Sequence, residues 1–419
     1  MSEALQRAVR RLRTIDRSLW VLLGVVVISS VGSGMPWYTM GILFTPLTAE
    51  FGWGRGAYSV AQSLYILANN LSALPIGNLV DRWGSRWMMG ITGVASFIIW
   101  GLISRIGHTS PERAILVLYA LYILLGIASS GLGNVSCSAL VARWFRKRRG
   151  LAMGVALIGG SLPGVILVPL SAPFIDAYGW RAFTMLLGVL ALVCSLPIVL
   201  WVIREAPPEP APSPAEGPAN VAPSYSAREA LRTPTFWMMS LGFALGQLAS
   251  VAIQMHAIPF LMDRGLSRAA ASSIWGFLAL WGIIGKVTLG WAADRFSARL
   301  VCSLSLLAQA ISVIVALSSP RPEAAWVFAL LFGLGMGGQL CTRAAIVAEY
   351  YGVRAYGTIW GLITFFILPG MVGGGPLAGF LYDVTGSYRM PYALFVGAFV
   401  LGAAAFLFLR KPRTERRLT

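Results

Sequence analysis

Charge is scarce in this chain: Asp, Glu, Lys and Arg make up 12% of its 419 residues, about half the share that soluble domains carry. Hydrophobic residues make up 57%, and a water-soluble fold of that composition would have nowhere to hide its surplus apolar surface. A soluble globular protein is excluded. Histidine is almost missing. His108 and His256 lie in different segments, which leaves no His-containing metal cluster, and no metal or other cofactor is expected. The four cysteines, Cys137, Cys194, Cys302 and Cys341, sit in apolar stretches without metal-ligand spacing. They form no disulfide framework and read as small packing residues. There is no G-x-x-x-x-G-K-[ST] run for gripping nucleotide phosphates and no catalytic constellation. Neither an enzyme nor an ATP-driven machine is expected. Acidic residues number 16 against 33 basic ones, and none of the 16 falls in the middle of an apolar stretch.

Apolar runs, by contrast, abound. They cover residues 18–46, 57–80, 87–106, 114–142, 150–175, 181–203, 236–262, 269–293, 299–319, 324–348, 356–382 and 388–410. Each is close to the roughly 20 residues that a helix needs to cross a bilayer, so twelve transmembrane helices are expected. The first run lasts about 27 residues without a small-x-small cleavage site, and reads as a retained helix, not a signal peptide. Residues 204–234 carry Pro207, Pro208, Pro210, Pro212, Pro214, Pro218 and Pro223 and read as a mobile extended linker. The expected organisation is a six-helix bundle over 1–203, a cytoplasmic linker over 204–234 and a second six-helix bundle over 235–419.

The net charge of +17 would suggest nucleic acid in a soluble protein. Here most of the basic residues lie in alternate short loops and at the two termini. That asymmetry fits the positive-inside rule and places both termini in the cytoplasm of a multi-pass plasma-membrane protein, the inner membrane if the source is bacterial. No nucleic-acid partner is expected. Five basic residues between Arg143 and Arg149 suit anionic lipid headgroups, or the attraction of an anionic substrate to that face. The chain is expected to act as a monomer.

The halves repeat. At a spacing of 213 residues, Pro46 matches Pro259, Gly52 matches Gly265 and Arg55 matches Arg268, and Gly77, Asp81, Arg82 and Arg86 match Gly290, Asp294, Arg295 and Arg299. At a spacing of 207, Gly126, Gly150, Gly154, Asp176 and Gly179 match Gly333, Gly357, Gly361, Asp383 and Gly386. Two parallel halves of this kind are what a carrier needs to rock about a site near the midplane.

Gly77-Asn-Leu-Val-Asp81-Arg82-Trp-Gly84-Ser-Arg86 resembles the loop 2–3 signature of the major facilitator superfamily, G-x-L-x-D-R-x-G-x-R. Gly290 to Arg299 is a weaker copy. The resemblance implies the fold of that superfamily, two pseudo-symmetric six-helix bundles, all α. It also implies a gating role for Gly77, Asp81, Arg82, Arg86, Asp294, Arg295 and Arg299. The run Phe145-Arg-Lys-Arg-Arg149-Gly150 into a Gly-rich fifth stretch, then Gly179-Trp180-Arg181, and Gly374 to Tyr388 resemble the monocarboxylate transporters and their bacterial relatives, including oxalate:formate antiporters.

Lys286 is the most informative residue. It lies two turns before Asp294, about 12 Å inside the end of the eighth stretch at 1.5 Å per residue. A lone cation there costs a few kcal/mol on insertion scales and should face a polar cavity or a partner. In the resembled family a carboxylate-binding Arg stands at this place, and Lys keeps the charge but loses the bidentate fork. The family's Asp one turn earlier is here Gly282, which puts proton symport of that form in doubt. Arg343 sits at similar depth in the tenth stretch, either binding an anion or pairing within the protein. His256 is either a buried hydrogen-bonded side chain or a pH-sensitive or substrate-contacting group. Trp37 and Tyr38 could wall a cavity or anchor an interface. Asn69, Asn70, Asn134, Gln247 and Gln339 are further polar candidates. The expected function is secondary transport of small organic anions, mono- or dicarboxylates, by alternating access, as symport with a proton or exchange for a counter-anion. The alternatives are efflux of hydrophobic or cationic compounds, which intramembrane cations oppose, and a membrane receptor or sensor.

Overall fold

The computed structural model describes residues 17–107, 110–145, 149–204, 225–319, 321–352 and 355–412. His108, Arg146 to Arg148, Arg354 and most of the Pro-rich segment lie outside them. So do the side chains of Asn134, Arg143, Arg149 and Asp294.

Helix α1 runs over Arg17–Phe51, with a π turn at Ser30–Gly34. Helix α2 covers residues 55–83 as Arg55–Leu71 and Ala73–Trp83. The break at Ser72 has a local cause: Asn70 donates to the carbonyl of Ile66 and Ser72 to that of Asn69. Short polar side chains of this kind compete with the helix for its own backbone. Helix α3 is Ser85–Ile103. Helix α4, residues 111–144, has a π turn at Ser130–Asn134.

The next apolar stretch, Gly154–Val202, is 49 residues long. As one straight helix it would reach about 73 Å, more than twice the hydrocarbon thickness of about 30 Å. It turns back at Gly179, where φ is +81 and ψ +162. Glycine reaches that region without a Cβ clash. The turn separates α5, residues 149–178, from α6, residues 180–202. The second half follows as α7 (Pro234–Asp263), α8 (Arg268–Arg295), α9 (Ala298–Ser318), α10 (Pro322–Tyr351), α11 (Tyr356–Thr385) and α12 (Arg389–Leu407). Among the described residues ten stretches are long and apolar enough to cross a membrane. Dividing one at Gly179 and adding α2 reaches the expected twelve.

The linker needs one correction. It was expected to stay extended as far as Pro234, but its last residues form a one-turn helix, Ala227–Leu231. The cause is a capping box: Ser226 accepts from the Glu229 amide while the Glu229 carboxylate accepts from the Ser226 amide. Those two bonds satisfy backbone groups that would otherwise be orphaned. The segment is pinned to the end of α10, with the Tyr225 amide donating to the Tyr351 carbonyl at 3.1 Å and Thr233 meeting the Tyr351 hydroxyl at 2.9 Å.

The chain divides into two compact units. One comprises α1 to Trp53 and the chain from Leu64 through α6; the other takes Gly54–Ser63, the first half of the opening segment of α2, together with α7 to α12. Within the second unit α8 and α10 cross on glycines. A Cβ built on Gly337 would lie 2.6 Å from the backbone nitrogen of Lys286. Lipid supplies no hydrophobic drive between helices, so small residues and close backbone approach hold such pairs. Gly337→Val should therefore lower stability by about 1–3 kcal/mol through overpacking. The control Gly397→Ala, whose Cβ meets nothing within 4 Å, should leave the melting temperature in detergent unchanged.

Candidate functional site

Lys286 is half-buried on α8 where that helix meets α10. Its carbonyl accepts from the Cys341 thiol at 3.2 Å. Arg343 follows Cys341 by two residues, and residues two apart on a helix point about 200° apart. Arg343 turns towards α7 instead, its guanidinium carbon 5.6 Å from the centre of the Phe243 ring. Its Nε is buried without a hydrogen-bond partner among the described residues. Helix α10 thus presents Cys341 to α8 and Arg343 to α7.

Gln339, one turn before Arg343, is buried in an amide cluster. Ser250 on α7 donates to Gln309 on α9 at 2.7 Å and lies 3.3 Å from the Gln339 oxygen, and Gln309 donates to that oxygen at 3.4 Å. Gln247 is half-buried on α7. In the first unit Asn69 donates to the Gly126 carbonyl at 3.1 Å, joining α2 to α4. Asn134 closes the π turn of α4. Tyr38 is buried on α1 and hydrogen-bonded to Ser161, while Trp37 beside it is half-buried.

The loop-signature residues have separate places. Gly77 is half-buried against Val135, and Asp81 and Arg82 are exposed at the end of α2. Arg86 donates to the carbonyls of Val199 and Leu200 at 2.9 and 2.7 Å, closing the last turn of α6. Its repeat partner Arg299 donates to the Leu409 carbonyl beyond α12. Each arginine ties the third helix of its unit to the sixth, a cation on orphan carbonyls at a helix C-terminus. Arg295 stacks over Trp291 at 5.0 Å.

A second charged cluster lies at the opposite end of the second unit. Sequence reasoning found His256 there but not its partners. Arg55 forms a bidentate pair with Asp263, both bonds 3.0 Å. It also donates to the Tyr388 hydroxyl at 2.8 Å, with its guanidinium 3.8 Å above the Tyr382 ring. Asp383 accepts from the amides of Arg55 and Gly56 at 2.9 and 2.8 Å, a carboxylate on the N-terminus of α2 where the helix dipole favours it. His256 is fully buried. Its Nδ1 lies 2.8 Å from the Tyr388 hydroxyl, and its Nε2 lies 3.1 Å from Ser59 Oγ and 3.0 Å from the Gly375 carbonyl. The available signal was the repeat, which had flagged Arg55 and Asp383 as register markers.

The first unit treats the matching position differently. Glu50 stands 213 residues before Asp263, and it pairs with Arg181 at 2.5 and 3.1 Å and accepts from Trp180 Nε1 at 2.6 Å. The residue 207 after Arg181 is Tyr388. Asp263 therefore lacks the repeat's arginine and takes Arg55 from α2.

The sequence model of the Major Facilitator Superfamily matches residues 26–288 and 257–419. The chain belongs to that superfamily. It is 28% identical to human monocarboxylate transporter 11 over 90% of this chain and 79% of that protein. It is 26% identical to monocarboxylate transporter 13 of Bos taurus over 88% and 84%. It is 25% identical to the MFS-type transporter YcxA of Bacillus subtilis (strain 168) over 92% and 94%. The fold matches the inward-facing, unoccupied crystal structure of a bacterial homologue of the human lysosomal transporter Spinster, with a TM-score of 0.70 at 16% identity over 94% and 95% of the two chains. This chain is thus a multi-pass membrane transporter of the Major Facilitator Superfamily, related to monocarboxylate transporters.

The amide cluster joins α7, α9 and α10. Gln309→Leu removes two of the three bonds, leaving Ser250 and Gln339 only their 3.3 Å contact, and should cost about 1–3 kcal/mol. A melting curve in detergent measures it.

Proposed function

We propose that this transporter carries small organic anions, mono- or dicarboxylates, by alternating access, as a symporter or an exchanger. The observation that carries this reading is Lys286: an ammonium two turns inside the end of α8, at the glycine-lined crossing with α10. A charge at that depth is expensive unless it has work to do, and an incoming carboxylate compensates it. The names of the relatives support the same substrate class. Arg343 is the secondary cation. Its turn towards Phe243 favours a monocarboxylate over a dicarboxylate that would need both charges. The cotransported or exchanged species in this reading is a proton or a counter-anion. The chain acts as a monomer without enzymatic activity or cofactor, in the plasma membrane with both termini cytoplasmic.

Efflux of cationic or hydrophobic compounds is the competing reading, and the Lys286 charge opposes it by repelling a cationic cargo. Uptake of radiolabelled carboxylates into proteoliposomes separates the two. Lys286→Ala should lose tenfold or more of the uptake, a change of about 1.4 kcal/mol or larger. Lys286→Arg should retain most of it, and Arg343→Ala should lose less than Lys286→Ala. Full uptake by Lys286→Ala would remove Lys286 from the mechanism. Transport of a hydrophobic cation in place of any carboxylate would establish the efflux reading.

A further inference from the structure

The partners of the His256 cluster fix the direction of its hydrogen bonds. Arginine has only donors, so the Tyr388 oxygen accepts from Arg55. The Tyr388 proton is then available to His256 Nδ1, 2.8 Å away. On the other side of the ring, Ser59 Oγ spends its proton on the Arg55 carbonyl at 2.7 Å. Towards the imidazole it is an acceptor, and the Gly375 carbonyl can only accept. Both neighbours of Nε2 are therefore acceptors, so Nε2 holds the proton and Nδ1 is bare. The assembled cluster specifies a neutral imidazole with each ring nitrogen satisfied.

A second proton, on Nδ1, undoes this arrangement. Nδ1–H would aim at the Tyr388 oxygen, and the Tyr388 proton would lose its acceptor. An imidazolium and the Arg55 guanidinium would then share one neutral oxygen in a buried site, where like charges repel strongly. The other charged and titratable groups around the ring are Asp263 on α7, Tyr382 and Asp383 on α11, and Tyr392 on α12. Both carboxylates are committed to α2, Asp263 to the Arg55 fork and Asp383 to its backbone amides.

We propose that the cluster is a proton-operated latch, in which protonation of His256 releases residues 54–63 of α2 from α7 and α11. The held segment is continuous through Leu71 with residues that pack in the first unit, so its release frees a helix that belongs to both. As a proton-coupling site the latch rests on the reading of this chain as a gradient-driven anion transporter. As a latch it stands without that reading.

Hydrogen–deuterium exchange of peptides covering residues 54–63 tests it, on the purified full chain in nanodiscs, between pH 5 and pH 8 and corrected for intrinsic exchange rates. A released cluster holds an ordinary imidazole that titrates near about 6.5, so linkage makes the open fraction rise about thirtyfold from pH 8 to pH 5. His256→Gln, which keeps a donor and an acceptor but does not titrate, should exchange at one rate throughout. Arg55→Ala, already unlatched, should exchange fast at both ends of the range. Wild-type exchange that ignores pH overturns the latch, as does a full pH response in His256→Gln. If His256→Gln does not fold, Arg55→Ala decides: a pH response as large as that of wild type places the titration elsewhere. Uptake is not read here, so a failure to transport carboxylates would sink the substrate assignment and leave this measurement intact.

Discussion

Hydrocarbon tolerates no idle charge, and the rest of the structure is arranged around that constraint. Acidic residues stand at helix ends and are engaged there. Glu50 holds Arg181, Asp263 holds Arg55, Glu349 holds Lys411 at 3.0 Å, and Asp383 caps α2. Basic residues near the ends close orphan carbonyls, as Arg86 and Arg299 do. Where polar side chains enter the interior they are mostly neutral amides and hydroxyls, some of them bonded to one another, as in the Ser250–Gln309–Gln339 cluster. Against this pattern, Lys286 and Arg343 place an ammonium and a guanidinium group within the apolar stretches of α8 and α10.

The two units share a plan and depart from it at one informative place. Each keeps the arginine that ties its third helix to its sixth. Each has a carboxylate at the end of its first helix, Glu50 or Asp263. In the first unit that carboxylate is matched by Arg181, at the turn that Gly179 makes possible. In the second the matching residue is Tyr388, which has no charge to offer. Replacing an arginine by a tyrosine leaves Asp263 to be compensated from elsewhere, and Arg55 supplies the charge. The same substitution puts a hydroxyl, able both to accept and to donate, between Arg55 and His256. At this one departure from the repeat stand both the ion pair and the hydroxyl that links it to His256.

Much of this was legible in the sequence because lipid imposes simple rules on it. Twelve apolar stretches, the Pro-rich division and the repeat all follow from where charge, proline and glycine stand. The local grammar was less legible. The π turns in α1 and α4 come from Ser and Gly runs that also suit an ordinary helix, and the capping box at Ser226 sits inside a segment dominated by proline. The charge cluster was the least legible part, because Arg55 meets Asp263 across 208 residues and Asp383 across 328. Only tertiary structure reports such pairings. His256 could be singled out as rare and buried, but its tautomer depends on Ser59, Gly375 and Tyr388, three partners from three segments.

On the proposed reading, Gly282 gives the His256 cluster its significance for coupling. The resembled transporters place an aspartate one turn before the cation of the eighth helix; here that site carries no side chain. An anion that crosses alone past Lys286 moves one negative charge against or along the membrane potential, at about 2.3 kcal/mol per 100 mV. A proton carried with it cancels that term, but the proton needs a site that titrates near neutrality. Free lysine, arginine and tyrosine side chains titrate well above that range. The carboxylates of Glu50, Asp263, Glu349 and Asp383 are bound to arginines, a lysine or a helix terminus. Among the described residues His256 is the one imidazole, and in the proposed latch it is an ordinary imidazole only once the cluster is released. On the proposed reading, charge compensation at Lys286 and proton uptake at His256 are separate tasks on α8 and α7 of one unit, where the resembled family combines them on a single helix.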